Sequence, residues 1–128
     1  MARILVAEDE TAVRSVVSRA LTDAGHSVVA VADGGQALER LLQEPDFDLL
    51  ITDIVMPVMD GIALALKARA LRPELRILMM SGYPKERQRA HNLDLLLDDI
   101  LAKPFGLDSL LAAVEAALAR RPDTNRKG

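Results

Sequence analysis

Five side chains with chemistry to offer stand directly after apolar runs: Glu8 and Asp9 after Ile4-Leu5-Val6-Ala7, Asp53 after Leu49-Leu50-Ile51-Thr52, Ser81 after Ile77-Leu78-Met79-Met80, and Lys103 after Ile100-Leu101-Ala102. Three carboxylates brought to one place repel each other, so a stable arrangement requires a cation or an altered protonation state. A divalent metal meets that need, and an all-oxygen donor set suits Mg²⁺ (or Mn²⁺). Such an ion takes one or two carboxylates directly, keeps waters, and leaves positions for phosphate oxygens. A carboxylate in that setting can attack phosphorus and form an aspartyl phosphate once the surrounding charge is neutralised. Asp53 fits the nucleophile. Lys103 offers a point charge to one phosphoryl oxygen, and the Ser81 hydroxyl a hydrogen bond to another.

These residues can meet only if the apolar runs lie side by side. The runs Arg3–Ala7, Ser27–Ala32, Leu49–Thr52, Arg76–Met80 and Asp99–Ala102 are mostly continuous Val, Ile, Leu and Met, as in parallel strands buried on both faces. Each is followed by helical spacing. Val13, Val16, Val17, Ala20, Leu21 and Ala24 recur at three- and four-residue intervals, with Gly25 placed to close the helix. Asp33 and Gln36 form a capping box for a second helix carrying Ala37, Leu38, Leu41 and Leu42 and stopped by Pro45. Asp60 caps a third helix from Gly61 to Leu71, ended by Pro73. The charged stretch from Pro84 to Asn92 is read as a fourth helix, and Asp108 and Ser109 open a last one with Leu110, Leu111, Val114, Ala117 and Leu118 on its core face and Arg120 and Arg121 at its negative end. Strict strand and helix alternation predicts an α/β fold with a doubly wound parallel sheet, in which residues just past the strands gather at the carboxyl edge.

The 128-residue length suits one domain, and half of the residues are hydrophobic with a quarter charged, a globular composition. A net charge of -3 provides no basic field for nucleic acid. The absence of cysteine removes disulfides and thiolate chemistry and is compatible with a reducing compartment. No apolar run approaches the roughly 20 residues of a membrane span, and the opening run is too short for a signal peptide, so a cytoplasmic protein is expected. The domain is expected over 1-121, with a mobile polar tail at 122-128. His26 and His91 lack partners at ligand spacing and are read as ordinary surface or core histidines. Asp60 and Gly61 are read as turn and cap. The apolar run Leu93, Leu95, Leu96 and Leu97 is read as packing.

Four fragments in order, Ile4-Leu5-Val6-Ala7-Glu8-Asp9-Glu10, Leu50 through Gly61, Met80-Ser81-Gly82 and Lys103-Pro104-Phe105, closely resemble the CheY-like receiver family of response regulators over nearly the whole chain. The resemblance implies a flavodoxin-like sheet of order 2-1-3-4-5 with five helices. It implies that Asp53 is phosphorylated by a phosphohistidine on a sensor histidine kinase or phosphotransfer protein, with Asp9, Asp53 and the Val55 carbonyl as Mg²⁺ ligands and Glu8 assisting through water. Lys103 and Ser81 would hold the phosphoryl oxygens, and the family has a cis peptide before the proline matching Pro104. A downstream protein would bind the face formed by the fourth helix, the fifth strand and the last helix. Many relatives carry a switch aromatic three residues before the lysine. Ile100 stands there, so Tyr83 is the candidate to carry part of the signal. The opening segment and the Thr52-to-Ile62 block are similar to the CpdR type of alphaproteobacterial receivers, which link a phosphorelay to regulated proteolysis.

Three other readings compete with a stand-alone signalling receiver. A Mg²⁺-dependent aspartyl-phosphate phosphatase wants a second Asp two residues after the nucleophile, where Val55 stands. A flavin or nucleotide binder wants a Gly-rich loop after the first strand, where acids stand. A phosphorylation-independent docking domain would normally lack one of the five site residues.

Overall fold

The structure is a computed structural model that describes residues 1–82 and 99–120. The chain runs β1 (Arg3–Ala7), α1 (Thr11–Asp23), β2 (Ser27–Val31), α2 (Gly34–Gln43), β3 (Leu49–Asp53), α3 (Gly61–Leu71), β4 (Arg76–Ser81), β5 (Asp99–Ala102) and α4 (Leu107–Ala119). All five strands pair in parallel in the order β2-β1-β3-β4-β5, the expected sheet. Four helices lie among the described residues. The helix expected over Pro84 to Asn92, the apolar run Leu93 to Leu97, His91, Tyr83, Arg121 and the tail at 122–128 lie outside them.

Period-two alternation along the strands divides the core into two layers. Leu5, Ala7, Leu50, Ile77 and Met79 face α2 and α3 through Ala37, Leu41, Ile62, Leu64 and Ala68. Ile4, Val6, Leu49, Ile51, Leu78 and Met80 face α1 and α4 through Val17, Leu21, Leu110 and Val114. Because both faces of β1, β3 and β4 are covered, their residues read as unbroken apolar runs. The edge strand β2 has an exposed or half-buried residue at every position.

Local chemistry sets the helix ends. Asp60 Oδ1 accepts from Ala63 N at 2.9 Å and opens α3. At α2 the Asp33 carboxylate accepts from Gln36 N at 2.8 Å, but Gln36 Oε1 accepts in return from Ala32 N, at 3.1 Å, one residue earlier than a simple capping box places it. At the end of α1, Gly25 has φ 100° and its N–H reaches Thr22 O, while His26 N–H reaches Leu21 O, the paired bonds of a Schellman closure. Helix α4 begins at Leu107 behind Gly106, so Asp108 lies within its first turn rather than opening it. His26 is buried, with Nδ1 accepting from Ala2 N at 3.1 Å and Nε2 lying 3.4 Å from Glu115 Oε2.

Candidate functional site

Strand register explains why the chemistry converges. Ala7 pairs with Thr52, Asp53 with Met80 and Ser81 with Ala102, so the strands end level at one edge. Strands β3 and β4 run one residue further than the apolar runs, making Asp53 and Ser81 their last residues. Neighbouring strands lie about 4.8 Å apart, which puts Glu8 beside Asp53, and Lys103, two strands from Asp53, spans the gap with its long stem. The sheet order reverses between β1 and its two neighbours at this edge, leaving a crevice between the outgoing connections. That crevice, about 750 Å³, is lined by Asp9, Asp53, Val55, Ser81, Lys103 and Pro104.

Glu8 is fully buried beneath it. Its Oε2 accepts from Glu10 N at 3.0 Å and its Oε1 from Lys103 Nζ at 2.8 Å. Lys103 Nζ also donates to Asp53 Oδ2 at 3.1 Å, and Asp53 Oδ1 accepts from Ile54 N at 2.9 Å. One ammonium thus bridges two carboxylates. Asp9 is exposed at the mouth, and carboxylate oxygens of Glu8, Asp9 and Asp53 all lie within 4.8 Å of one another. Ser81 is buried at the end of β4, its carbonyl accepting from Lys103 N at 2.7 Å, and the Lys103–Pro104 peptide bond is cis.

Burial dominates the electrostatics. Loss of solvation holds both Glu8 and Asp53 above the ordinary carboxylate range, although the hydrogen bond from Lys103 pulls each back down. Desolvation alone would depress Lys103, but its bonds to Glu8 and Asp53 outweigh this and raise its pKa. Three acids against one cation leave unbalanced negative charge. The donor set is carboxylate oxygen only, with Asp9 open to solvent, and this fits a hard divalent cation such as Mg²⁺ rather than a thiophilic one.

Of the residues singled out in the sequence, Glu8, Asp9, Asp53, Val55, Ser81, Lys103 and Pro104 come together. Ile100 does not line the crevice: it pairs with Met79 and is half-buried against the α2 and α3 layer. A further contributor is Gly61. A Cβ built there would stand 2.9 Å from the Asp53 carbonyl carbon and 3.0 Å from Ile54 Cα, and closer still to the Asp53 carbonyl oxygen. Its N–H also donates to Ile54 O at 2.7 Å. The turn-and-cap reading of Gly61 is therefore incomplete, because its bare Cα is pressed against the backbone of Asp53. The Asp-Gly pair after the Asp53 run is the only sequence signal of this. Thr52 Oγ1, buried, donates to the same Asp53 carbonyl at 2.9 Å.

Comparison with known proteins agrees with this geometry. Residues 4–115 match the response regulator receiver domain. The chain is similar to the response regulator receiver protein CpdR of Brucella abortus, 41% identical over 92% of this chain and 98% of that protein. It is 38% identical to the response regulator MprA of Mycobacterium leprae over 94% of this chain, but spans only 53% of that protein, about half its length. Among solved structures, the chemotaxis response regulator CheY4 of Vibrio cholerae superposes with a TM-score of 0.82 at 31% identity, covering 91% of this chain and 98% of the other. A five-stranded parallel sheet of order 2-1-3-4-5, an acidic crevice at its carboxyl edge and these likenesses lead to one conclusion: the chain belongs to the response regulator receiver domain family, the phosphoacceptor signalling domains of two-component systems.

Proposed function

We propose that Asp53 accepts a phosphoryl group from a phosphohistidine of a sensor histidine kinase or phosphotransfer protein, and that the modified domain selects a protein partner. The observation that carries this reading is the bridging of Glu8 and Asp53 by Lys103 on the floor of an open crevice. An Asp53 carboxylate oxygen attacks phosphorus, an oxygen–phosphorus bond forms as the nitrogen–phosphorus bond breaks, and the imidazole leaves with the electron pair. Lys103, already against Oδ2, follows the transferred charge and donates to a phosphoryl oxygen. The Ser81 hydroxyl, at the end of the adjacent strand, donates to a second one. Asp9, Asp53 and the Val55 carbonyl would hold Mg²⁺ directly and Glu8 would act through water, since both Glu8 oxygens already have donors. Mg²⁺ supplies charge neutralisation between acids and phosphoryl oxygens.

Labelling with acetyl phosphate and Mg²⁺ tests the reading: wild type is expected to take up one phosphoryl group and Asp53→Asn none. Label surviving the substitution refutes the assignment. Output is proposed for the face of the expected fourth helix, β5 and α4, with Tyr83 as the candidate reporter. Likeness to a CpdR protein over almost its full length favours a second statement about output, that the unphosphorylated form binds protease machinery. A pull-down with both phosphorylation states checks it, and no association in either state refutes it.

A further inference from the structure

The same site is constrained from a part of the fold that carries none of its chemistry. The loop of residues 54–60 between β3 and α3 contains Val55 and ends at Asp60. Within it Met59 N–H donates to Pro57 O at 2.7 Å across Val58, whose φ is 71°. This is a three-residue turn through the left-handed region, a strained conformation for a β-branched residue. Such conformations persist only where the surroundings over-determine them.

The surroundings are the first turn of α2. A Cβ built on the buried Gly34 would stand 2.9 Å from Met59 Cβ and 3.1 Å from its carbonyl carbon, with the carbonyl oxygen nearer still. One built on Gly35 would stand 3.2 Å from Val58 Cγ1. The opening of α2 is itself locked by Asp33 and Gln36. Backbone therefore rests on backbone at Gly34 and Met59, with no flexible side chain between them to absorb movement. At its far end the loop is held by Gly61 against Asp53.

Resting on the function proposed above, we propose that Gly34 is a positioning residue for the cation and phosphoryl site. Its bare Cα seats Met59, which sets where the loop presents the Val55 carbonyl. Occupancy of the site is felt in return at the first turn of α2, because coupling between two sites is reciprocal. Helix α2 thereby becomes a route for the signal separate from β5.

Isothermal titration of the full chain with Mg²⁺ tests the proposal in wild type, Gly34→Ala and Val114→Ala, the last a cavity variant in the opposite core layer and outside the crevice lining. Amide hydrogen exchange of wild type at Gln36 and Ala37, with and without Mg²⁺, gives the reciprocal readout. Gly34→Ala is expected to bind Mg²⁺ about tenfold more weakly while Val114→Ala keeps wild-type affinity, and Mg²⁺ is expected to slow exchange at both amides. Wild-type affinity in Gly34→Ala overturns the proposal, as does an equal loss in both variants, which would mark a general stability effect. If Gly34→Ala does not fold, unchanged exchange in the wild type overturns it and slowed exchange supports it. Wild type that binds no Mg²⁺ overturns the proposed function and this inference together. Mg²⁺ binding and Asp53 labelling without any Gly34 effect overturn this inference alone.

Discussion

Replacing Lys103 with methionine keeps most of the apolar stem of the side chain and deletes the only charge among the described residues that bridges Glu8 and Asp53. In the metal-free protein this leaves a fully buried Glu8 with one oxygen stripped of its donor, beside a second carboxylate that lies almost wholly inside. Removing one partner of a buried pair costs about 3–5 kcal/mol; the residual exposure of Lys103, 18% of its side chain, reduces this to about 2–4 kcal/mol at neutral pH. The cost depends on pH in a defined direction. Glu8 and Asp53 have folded pKa values above their unfolded ones, so their favourable contribution is fully present below the unfolded values and is lost as pH rises through the folded ones. Lys103 lowers both groups, so its removal moves them further up and enlarges the loss. Lys103 itself, raised on folding, contributes below its unfolded value and loses that contribution only as pH rises through its higher folded value, far into the alkaline range. Urea unfolding of wild type and Lys103→Met should therefore show a small difference near pH 4 that grows toward pH 7.5. Mg²⁺ should narrow the gap at neutral pH by restoring positive charge. Equal stability of the two proteins at neutral pH, or a difference independent of pH, would refute the bridging role.

Gly61→Ala inserts a methyl group into the Asp53 backbone, and overpacking of this kind costs about 1–3 kcal/mol. Denaturation should register that loss, and acetyl phosphate labelling should slow because the phosphoacceptor is displaced; wild-type values in both would dismiss the contact. Val58→Gly removes a left-handed penalty of about 1–2 kcal/mol at the cost of about 0.5–1 kcal/mol of chain entropy, so a net stabilisation of about 0.5–1 kcal/mol is expected. A drop in urea midpoint would show that Val58 is not strained.

Much of the fold is legible along the chain because its signals are local. A strand covered on both faces must be apolar throughout, as Leu49-Leu50-Ile51 is, and a helix must cap its first amides, as Asp33 and Asp60 do. Parallel strands then oblige Glu8, Asp9, Asp53, Ser81 and Lys103 to share an edge, and their types announce anionic and cationic chemistry in advance. The exposed edge strand β2 and the opening of α4 at Leu107 were less legible, because propensity marks those boundaries weakly.

What the order of residues cannot carry is close approach between distant segments. Glycine is permissive in any context, so nothing local distinguishes Gly61, pressed against Asp53, or Gly34, pressed against Met59, from a glycine in an open turn. The choice by Lys103 of Glu8 as well as Asp53, and the left-handed turn at Val58, likewise follow from contacts made only after the sheet has assembled. Residue types and strand ends determine which groups meet; packing across 25 residues from Gly34 to Met59, and 95 from Glu8 to Lys103, decides the geometry in which they are held.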